Sequence, residues 1–146
     1  MSKLQEIGDA DGWRCWLCDE PVDRTLVNDP RGPSIDSVIT KAKSKKHGPS
    51  DERLAHRDCN TKKGAITPII KWRDGLFVAD PAPILVSVER LERKGGREVM
   101  ARCPTKADAI DAGDWLVDRL SRLRPDMTVT TKIESGGGQF LLVLLA

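Results

Sequence analysis

Two short pairs of cysteine and histidine constrain this chain more than any other feature of its sequence. Cys15 and Cys18 occur in the segment CWLC, and His56 and Cys59 occur in the segment HRDC. A two-residue spacing lets one tight turn direct both side chains of a pair at the same ion, and three thiolates with one imidazole suit tetrahedral zinc. The sequence therefore predicts a structural zinc ion bound by Cys15, Cys18, His56 and Cys59. Such a closed site leaves no position for water or substrate, so any chemistry needs a second ion.

The alternative is that Cys15 and Cys18 are buried apolar thiols and His56 is a surface residue. The chain opens without an apolar run, and its last apolar segment, FLLVLLA, is too short to span a bilayer. We therefore expect a cytoplasmic protein without a membrane partner, in which reduced thiols favour a metal site over a disulfide. Cys103 has no partner nearby in the sequence and is expected to be a core thiol.

The first part of the chain is predicted to be a small α+β unit organised around the metal, at residues 1–65. Residues 1–12 are polar and are expected to form an irregular lead-in. A strand is predicted at 34–40, a second short strand at 52–55, and a helix at 57–64 that ends at a glycine. The expected order is therefore strand, strand, helix.

The rest of the 146-residue chain is predicted to contain a linker at 66–83, with a short hairpin around Asp74-Gly75, and a small α+β domain at 84–146. The helix of that domain shows capping-box spacing and an apolar stripe at steps of three and four. The domain is expected to have the order β-β-α-β-β, with strands at 84–91, 97–103, 128–134 and 139–146 and a helix at 105–123.

Basic residues are concentrated in one part of the chain. The net charge of the whole chain is only +2, but the stretch from residue 41 to residue 63 contains eight Lys or Arg and three Asp or Glu. A local excess of this kind suits the phosphate backbone of nucleic acid, although a solvated face is the alternative. The candidate nucleic-acid-binding residues are Lys41, Lys43, Lys45, Lys46, Lys62 and Lys63.

The segments CWLCDEPVD, SID and LAHRDCNTKKG together resemble the HNH endonucleases, which have a ββα-metal fold, in the form that carries zinc knuckles. The resemblance covers about residues 13–65. It implies metal-dependent phosphodiester hydrolysis of nucleic acid, with DNA as the expected substrate. It also implies that Asp36 and Asn60 bind a catalytic divalent ion, magnesium or manganese, and carboxylate and amide oxygens are ligands that Mg²⁺ accepts.

The sequence departs from the family at the residue that activates water. Ser37 follows Asp36 where the family has its general-base histidine, and an unassisted hydroxyl has no useful basicity near neutral pH. Asp51 stands in place of the middle asparagine, and the family's proline after the first strand is absent. If His56 binds zinc, His47 in the basic loop is the remaining histidine. It could supply the base, or it could be a loop residue without a role.

Two functions therefore compete at this level. One is an HNH-type endonuclease that is impaired because its general base is Ser37. The other is a non-catalytic zinc module that binds DNA, RNA or protein, in which the C-terminal unit contacts a protein partner that the sequence does not identify.

Overall fold

A computed structural model describes residues 2–37, 52–64, 66 and 68–146. The chain is divided by its internal contacts into two compact units, Met1–Pro68 and Ile69–Ala146. Among the described residues it is mixed α+β, as predicted, with four helices and two small antiparallel sheets. No helix in this part of the chain combines the length and the apolar character needed to cross a membrane.

The first element is helix α1, Lys3–Ala10, at a place where an irregular lead-in was expected. The hydroxyl of Ser2 caps the helix by accepting a hydrogen bond from a backbone N–H of the first turn. The ring of Trp13 lies against the backbone of Gly8 and donates a hydrogen bond to the Asp9 carboxylate at 2.9 Å. The expectation was wrong because a short helix is stabilised mainly by tertiary contacts, and the periodicity of eight residues does not report them.

Residues 13–22 form a tight knuckle that carries the first cysteine pair. The Val22 N–H donates to the Trp13 carbonyl at 2.8 Å, and the Cys15 N–H donates to the Glu20 carbonyl at 2.9 Å. At the tip of the knuckle, the Asp19 N–H donates a hydrogen bond to the Cys15 carbonyl at 2.9 Å. This folding of the backbone onto itself directs both cysteine side chains to one side of the knuckle.

Two antiparallel strands and a short helix follow, which are β1 (Pro33–Ser37), β2 (Glu52–His56) and α2 (Arg57–Lys63). The predicted strand, strand, helix order is confirmed, although residues 38–40 of the first predicted strand lie outside the described residues. Pro33 pairs with His56 across the two strands. Since α2 begins directly after His56, the helix runs back beside β1 and brings its side chains to that strand.

Helix α3 (Ile84–Lys94) opens the regular structure of the second unit, where a strand was predicted at 84–91. The β-branched residues of this segment suggested a strand, but Ile84, Val88 and Leu91 are buried at helical steps of four and three. Gly95, at φ 68°, ends the helix. The predicted order β-β-α-β-β is therefore wrong. The order is α-β-α-β-β, because burial of one helical face overrides the strand propensity of the individual residues.

A three-stranded antiparallel sheet follows, with the strands in the order β3 (Arg97–Cys103), β5 (Gln139–Leu145) and β4 (Thr130–Gly136). Strands β4 and β5 confirm the second predicted hairpin. Their two-residue turn is Gly137-Gly138, and both residues have positive φ (60° and 77°), as a tight hairpin turn of this kind requires.

Helix α4 (Lys106–Leu123) confirms the predicted helix of the second unit. The Thr105 hydroxyl accepts a hydrogen bond from the Asp108 N–H at 3.1 Å, which is half of the expected capping box. The apolar stripe is buried at every predicted position, namely Ala109, Ala112, Leu116, Leu120 and Leu123.

The stretch 69–83 belongs with the second unit, although the sequence analysis assigned it to a linker. The Ala79 N–H donates to the Arg102 carbonyl at 2.7 Å, so the stretch runs along the outer edge of β3. Asp74 and Gly75 form a turn, but among the described residues no strands flank it. The predicted short hairpin is therefore absent from this stretch.

Candidate metal centre and the adjoining acidic site

The four predicted zinc ligands come together in the N-terminal unit. The ligand atoms of Cys15, Cys18, His56 and Cys59 all lie within 4.8 Å of one another. The His56 Nδ1 atom is 3.3 Å from the Cys18 Sγ atom and 3.8 Å from the Cys59 Sγ atom. Ligands of one tetrahedral zinc ion are separated by roughly 3.5 to 3.8 Å, so the donor set and its spacing fit such an ion. The cluster could therefore hold a metal ion such as zinc.

The ring of His56 is already oriented for metal binding. Its Nε2 atom lies 2.9 Å from the Pro21 carbonyl oxygen, which can only accept a hydrogen bond. The proton is therefore assigned to Nε2, and the lone pair of Nδ1 faces the thiols. A carbonyl that fixes the tautomer of a histidine in this way is a usual support for a metal ligand.

The three thiols differ in their readiness to bind a cation. The Cys18 thiol and the backbone N–H groups of Cys18, His56 and Leu17 lower the pKa of Cys15 to about 4. The pKa of Cys18 is raised because its thiol donates to Cys15, and burial raises the pKa of Cys59. These shifts make Cys15 the most readily ionised of the three thiols, and all three thiols must be deprotonated to bind a metal ion.

Next to this cluster, at the end of β1, the carboxylate of Asp36 is buried, with only 4% of the residue exposed. Its Oδ2 atom accepts a hydrogen bond from the Trp16 indole N–H at 2.9 Å, and its Oδ1 atom pairs with the Lys63 ammonium at 3.2 Å. Trp16 belongs to the knuckle, whose backbone is tied to β2 by a hydrogen bond from the Trp16 N–H to the Leu54 carbonyl. Asp36 therefore joins the knuckle, β1 and α2.

Lys63 was predicted to contact a nucleic-acid backbone, but its side chain faces the protein interior. The ammonium donates to the Ser37 carbonyl at 3.0 Å as well as to Asp36, and only 6% of the side chain is exposed. The neighbouring Lys62 differs, because it is exposed and pairs with Asp58 at 2.9 Å. The spacing of Lys63 three residues after Asn60 indicates that both side chains share one face of α2, but it does not indicate that this face contacts β1.

Asn60 lies at the same contact between β1 and α2 as Asp36. Its Nδ2 atom donates to the Ser34 hydroxyl and to the Ile35 carbonyl, both at 3.2 Å. The amide thus holds α2 against β1 through the two residues that precede Asp36. The side chain has a structural role here in addition to the metal-binding role that the resemblance implies for its oxygen.

The remaining predicted site residues are placed only in part. Ser37 is exposed at the end of β1, immediately after Asp36. The proposed base His47 lies outside the described residues, as do Lys41, Lys43, Lys45 and Lys46. Sequence reasoning missed Trp16, which hydrogen-bonds to Asp36 across 20 positions of the chain. Its place between the two cysteines was the available signal.

Comparisons with known proteins give no relative on which to base an assignment. No protein-family model matches the chain, and neither a curated protein nor a solved structure matches it.

Proposed function

We propose that the N-terminal unit is a ββα-metal module of the HNH endonuclease type, which acts on nucleic acid and whose hydrolytic step is impaired. The single observation that carries the proposal is the placement of Asp36. This buried carboxylate lies one residue before the end of β1 and pairs with Lys63 on α2. It also accepts a hydrogen bond from Trp16, which stands between two cysteines of the Cys₃His cluster that could bind zinc. The order of elements and the position of the carboxylate are those that the resemblance implies.

The chain supplies part of what phosphodiester hydrolysis needs. A magnesium or manganese ion held by Asp36, with the Asn60 amide oxygen as a further ligand, would supply Lewis-acid stabilisation of the scissile phosphate. The other requirement is a base for the attacking water. Ser37 stands next to Asp36 and cannot take a proton near neutral pH. The reaction is therefore expected to be slow for want of a base.

Restoring the base tests this proposal. Ser37→His should increase nicking of plasmid DNA by the zinc-loaded chain at saturating Mn²⁺ by about 10² to 10⁴-fold, the usual value of general-base catalysis. Ser37→Ala is the matched control and should show no gain. Adding Asp36→Asn to the Ser37→His chain should remove the gain, since the base would then act without a metal-bound phosphate.

Two results would contradict the hypothesis that the site lacks only its general base. If the wild type already cleaves, and His47→Ala loses this activity while Ser37→His changes little, His47 is the base. If no variant cleaves DNA or RNA although the fold and the zinc content are intact, the module is not a hydrolase.

The ion pair between Asp36 and Lys63 favours a second candidate, a non-catalytic nucleic-acid-binding module. In this function the carboxylate serves only to hold α2 on β1, with both of its oxygens bonded within the protein. The same samples distinguish the two functions. The second one requires binding whose affinity falls steeply with salt, together with no cleavage in any variant.

A further inference from the structure

The ammonium of Lys63 contacts two oxygen atoms of the kinds that also bind small hard cations. Its Nζ atom lies 3.2 Å from a carboxylate oxygen of Asp36 and 3.0 Å from the backbone carbonyl oxygen of Ser37. The ammonium also lies over the Trp16 ring, at 6.0 Å from the ring centroid. A carboxylate and a carbonyl oxygen are the ligand types that Mg²⁺ and Mn²⁺ use in proteins.

Because the site is buried, the Lys63 ammonium and a divalent ion cannot both lie beside Asp36. The side chains of Lys63 and Asp36 are only 6% and 4% exposed, so water screens their charges poorly. A divalent ion bound to Asp36 Oδ1 at about 2.1 Å would lie within a few Å of the ammonium. The repulsion between the two cations at that distance, in a poorly solvated place, is strong. Binding of the ion therefore requires Lys63 to move away.

We propose that Lys63 is a built-in competitor for the divalent ion at Asp36, so that the site stays metal-free until the ammonium is displaced. This inference rests on the proposed function for the identity of the site, but it concerns occupancy and not cleavage. It makes the position of the Lys63 side chain the regulator of metal binding at Asp36.

The chain offers a matched control for the test. Lys62 lies beside Lys63 on α2 and carries the same charge, but it is exposed and pairs with Asp58. Lys62→Gln and Lys63→Gln therefore change the net charge equally. If Lys63 acts only by adding positive charge to α2, both variants should change the metal affinity to a similar extent. A competitor role predicts a change in Lys63→Gln alone.

The first experiment measures Mn²⁺ affinity of the zinc-loaded full chain by calorimetric titration. Lys63→Gln should bind Mn²⁺ about tenfold more tightly than the wild type or better, because a buried unit charge has been removed from beside the ligand. Lys62→Gln should remain close to the wild type. Adding Asp36→Asn to Lys63→Gln should abolish the gain. Equal Mn²⁺ binding by Lys63→Gln and Lys62→Gln, with zinc content and circular dichroism unchanged, would overturn the inference.

A second experiment uses the wild type and does not depend on the folding of a variant. Lysine acylation, quantified residue by residue with mass spectrometry, should label Lys63 slowly and Lys62 rapidly without Mn²⁺. Saturating Mn²⁺ should raise the labelling rate of Lys63 and leave that of Lys62 unchanged. A Lys63 that stays protected at saturating Mn²⁺ contradicts the inference. Neither readout involves cleavage, so a failed nicking assay would overturn the proposed function without deciding the role of Lys63.

Discussion

Asp36 is a buried residue that links separate parts of the N-terminal unit through its side-chain oxygen atoms. It is bonded to Trp16 of the knuckle and to Lys63 of α2, and none of the buried side-chain N and O atoms of the described residues lacks a hydrogen-bond partner. A buried charge with a partner is tolerated, whereas the same charge without its partner is costly. The carboxylate is therefore important for stability as well as for any metal binding.

The stability of this ion pair can be measured directly. Asp36→Ala should lower the free energy of unfolding of the N-terminal unit by about 3 to 5 kcal/mol, because the Lys63 ammonium remains buried without its partner. The double variant Asp36→Leu with Lys63→Met, which removes both charges, should cost markedly less. Hydrogen exchange of peptides from β1 and α2 in the zinc-loaded chain reports both values. If both variants lose the same free energy of unfolding, the ion pair between Asp36 and Lys63 is solvated.

At the scale of single residues, the four candidate zinc ligands could be predicted from the sequence. The contacts of the neighbouring Asp36 could not. A two-residue spacing such as that of Cys15 and Cys18 can be recognised in the sequence as a metal-binding pair. A tight turn at this spacing directs both side chains toward the same ion. The bond between Asp36 and Lys63 joins residues 27 positions apart. It depends on how α2 packs on β1, which residue type and spacing do not specify. For that reason Lys63 was assigned to a nucleic-acid surface and was found in the interior.

At the scale of elements, helix α1 depends on a contact that lies outside it. A Cβ atom added to Gly8 would lie 2.4 Å from the ring of Trp13, a separation that real side chains do not adopt. Glycine is therefore required by close packing at this position. It is not there to provide backbone freedom, because its φ is not in the left-handed region.

This contact reverses the usual effect of a helical glycine substitution. Gly→Ala inside a helix normally stabilises it by about 0.5 to 1 kcal/mol. Gly8→Ala should instead destabilise the N-terminal unit by about 1 to 3 kcal/mol, since the ring or the helix must shift. Gly113→Ala in α4 is the comparison, because its added Cβ would meet the flexible end of Leu142 at 3.1 Å. Thermal unfolding should show the larger loss for Gly8→Ala, and a stabilised Gly8→Ala would contradict the packing.

The elements that the sequence predicted correctly are those whose signals are local. Helix α4 has its capping residue Thr105 and a long apolar stripe, and the last hairpin has two consecutive glycines at its turn. Helix α3 was mistaken for a strand because Ile, Leu and Val in a row satisfy both periodicities over a short window. A helix and a strand are distinguished here only by which side chains are buried together, and this depends on tertiary packing.

At the scale of the whole molecule, the two units differ in what stabilises them. The second unit buries continuous apolar faces of α4, β3 and β5, including Leu116, Met100, Leu142 and Leu144. Among its described residues, the first unit has two short strands and two short helices. Its buried hydrophobic residues include Cys15 of the candidate zinc cluster and the neighbouring Trp16. Small units of this kind obtain much of their folding free energy from a bound metal ion. The first unit should therefore depend on the metal and the second should not.

The measurement that tests the account most directly is the zinc content of the purified 146-residue chain, determined by elemental analysis without prior chelation. The account predicts one zinc ion per chain in the wild type and in Cys103→Ser, whose thiol lies in the second unit. It predicts loss of the ion in Cys18→Ser, together with unfolding of the N-terminal unit, because a tetrahedral site would then lack a ligand. A wild-type chain that folds normally without stoichiometric zinc, or a Cys18→Ser chain that retains it, would contradict the account.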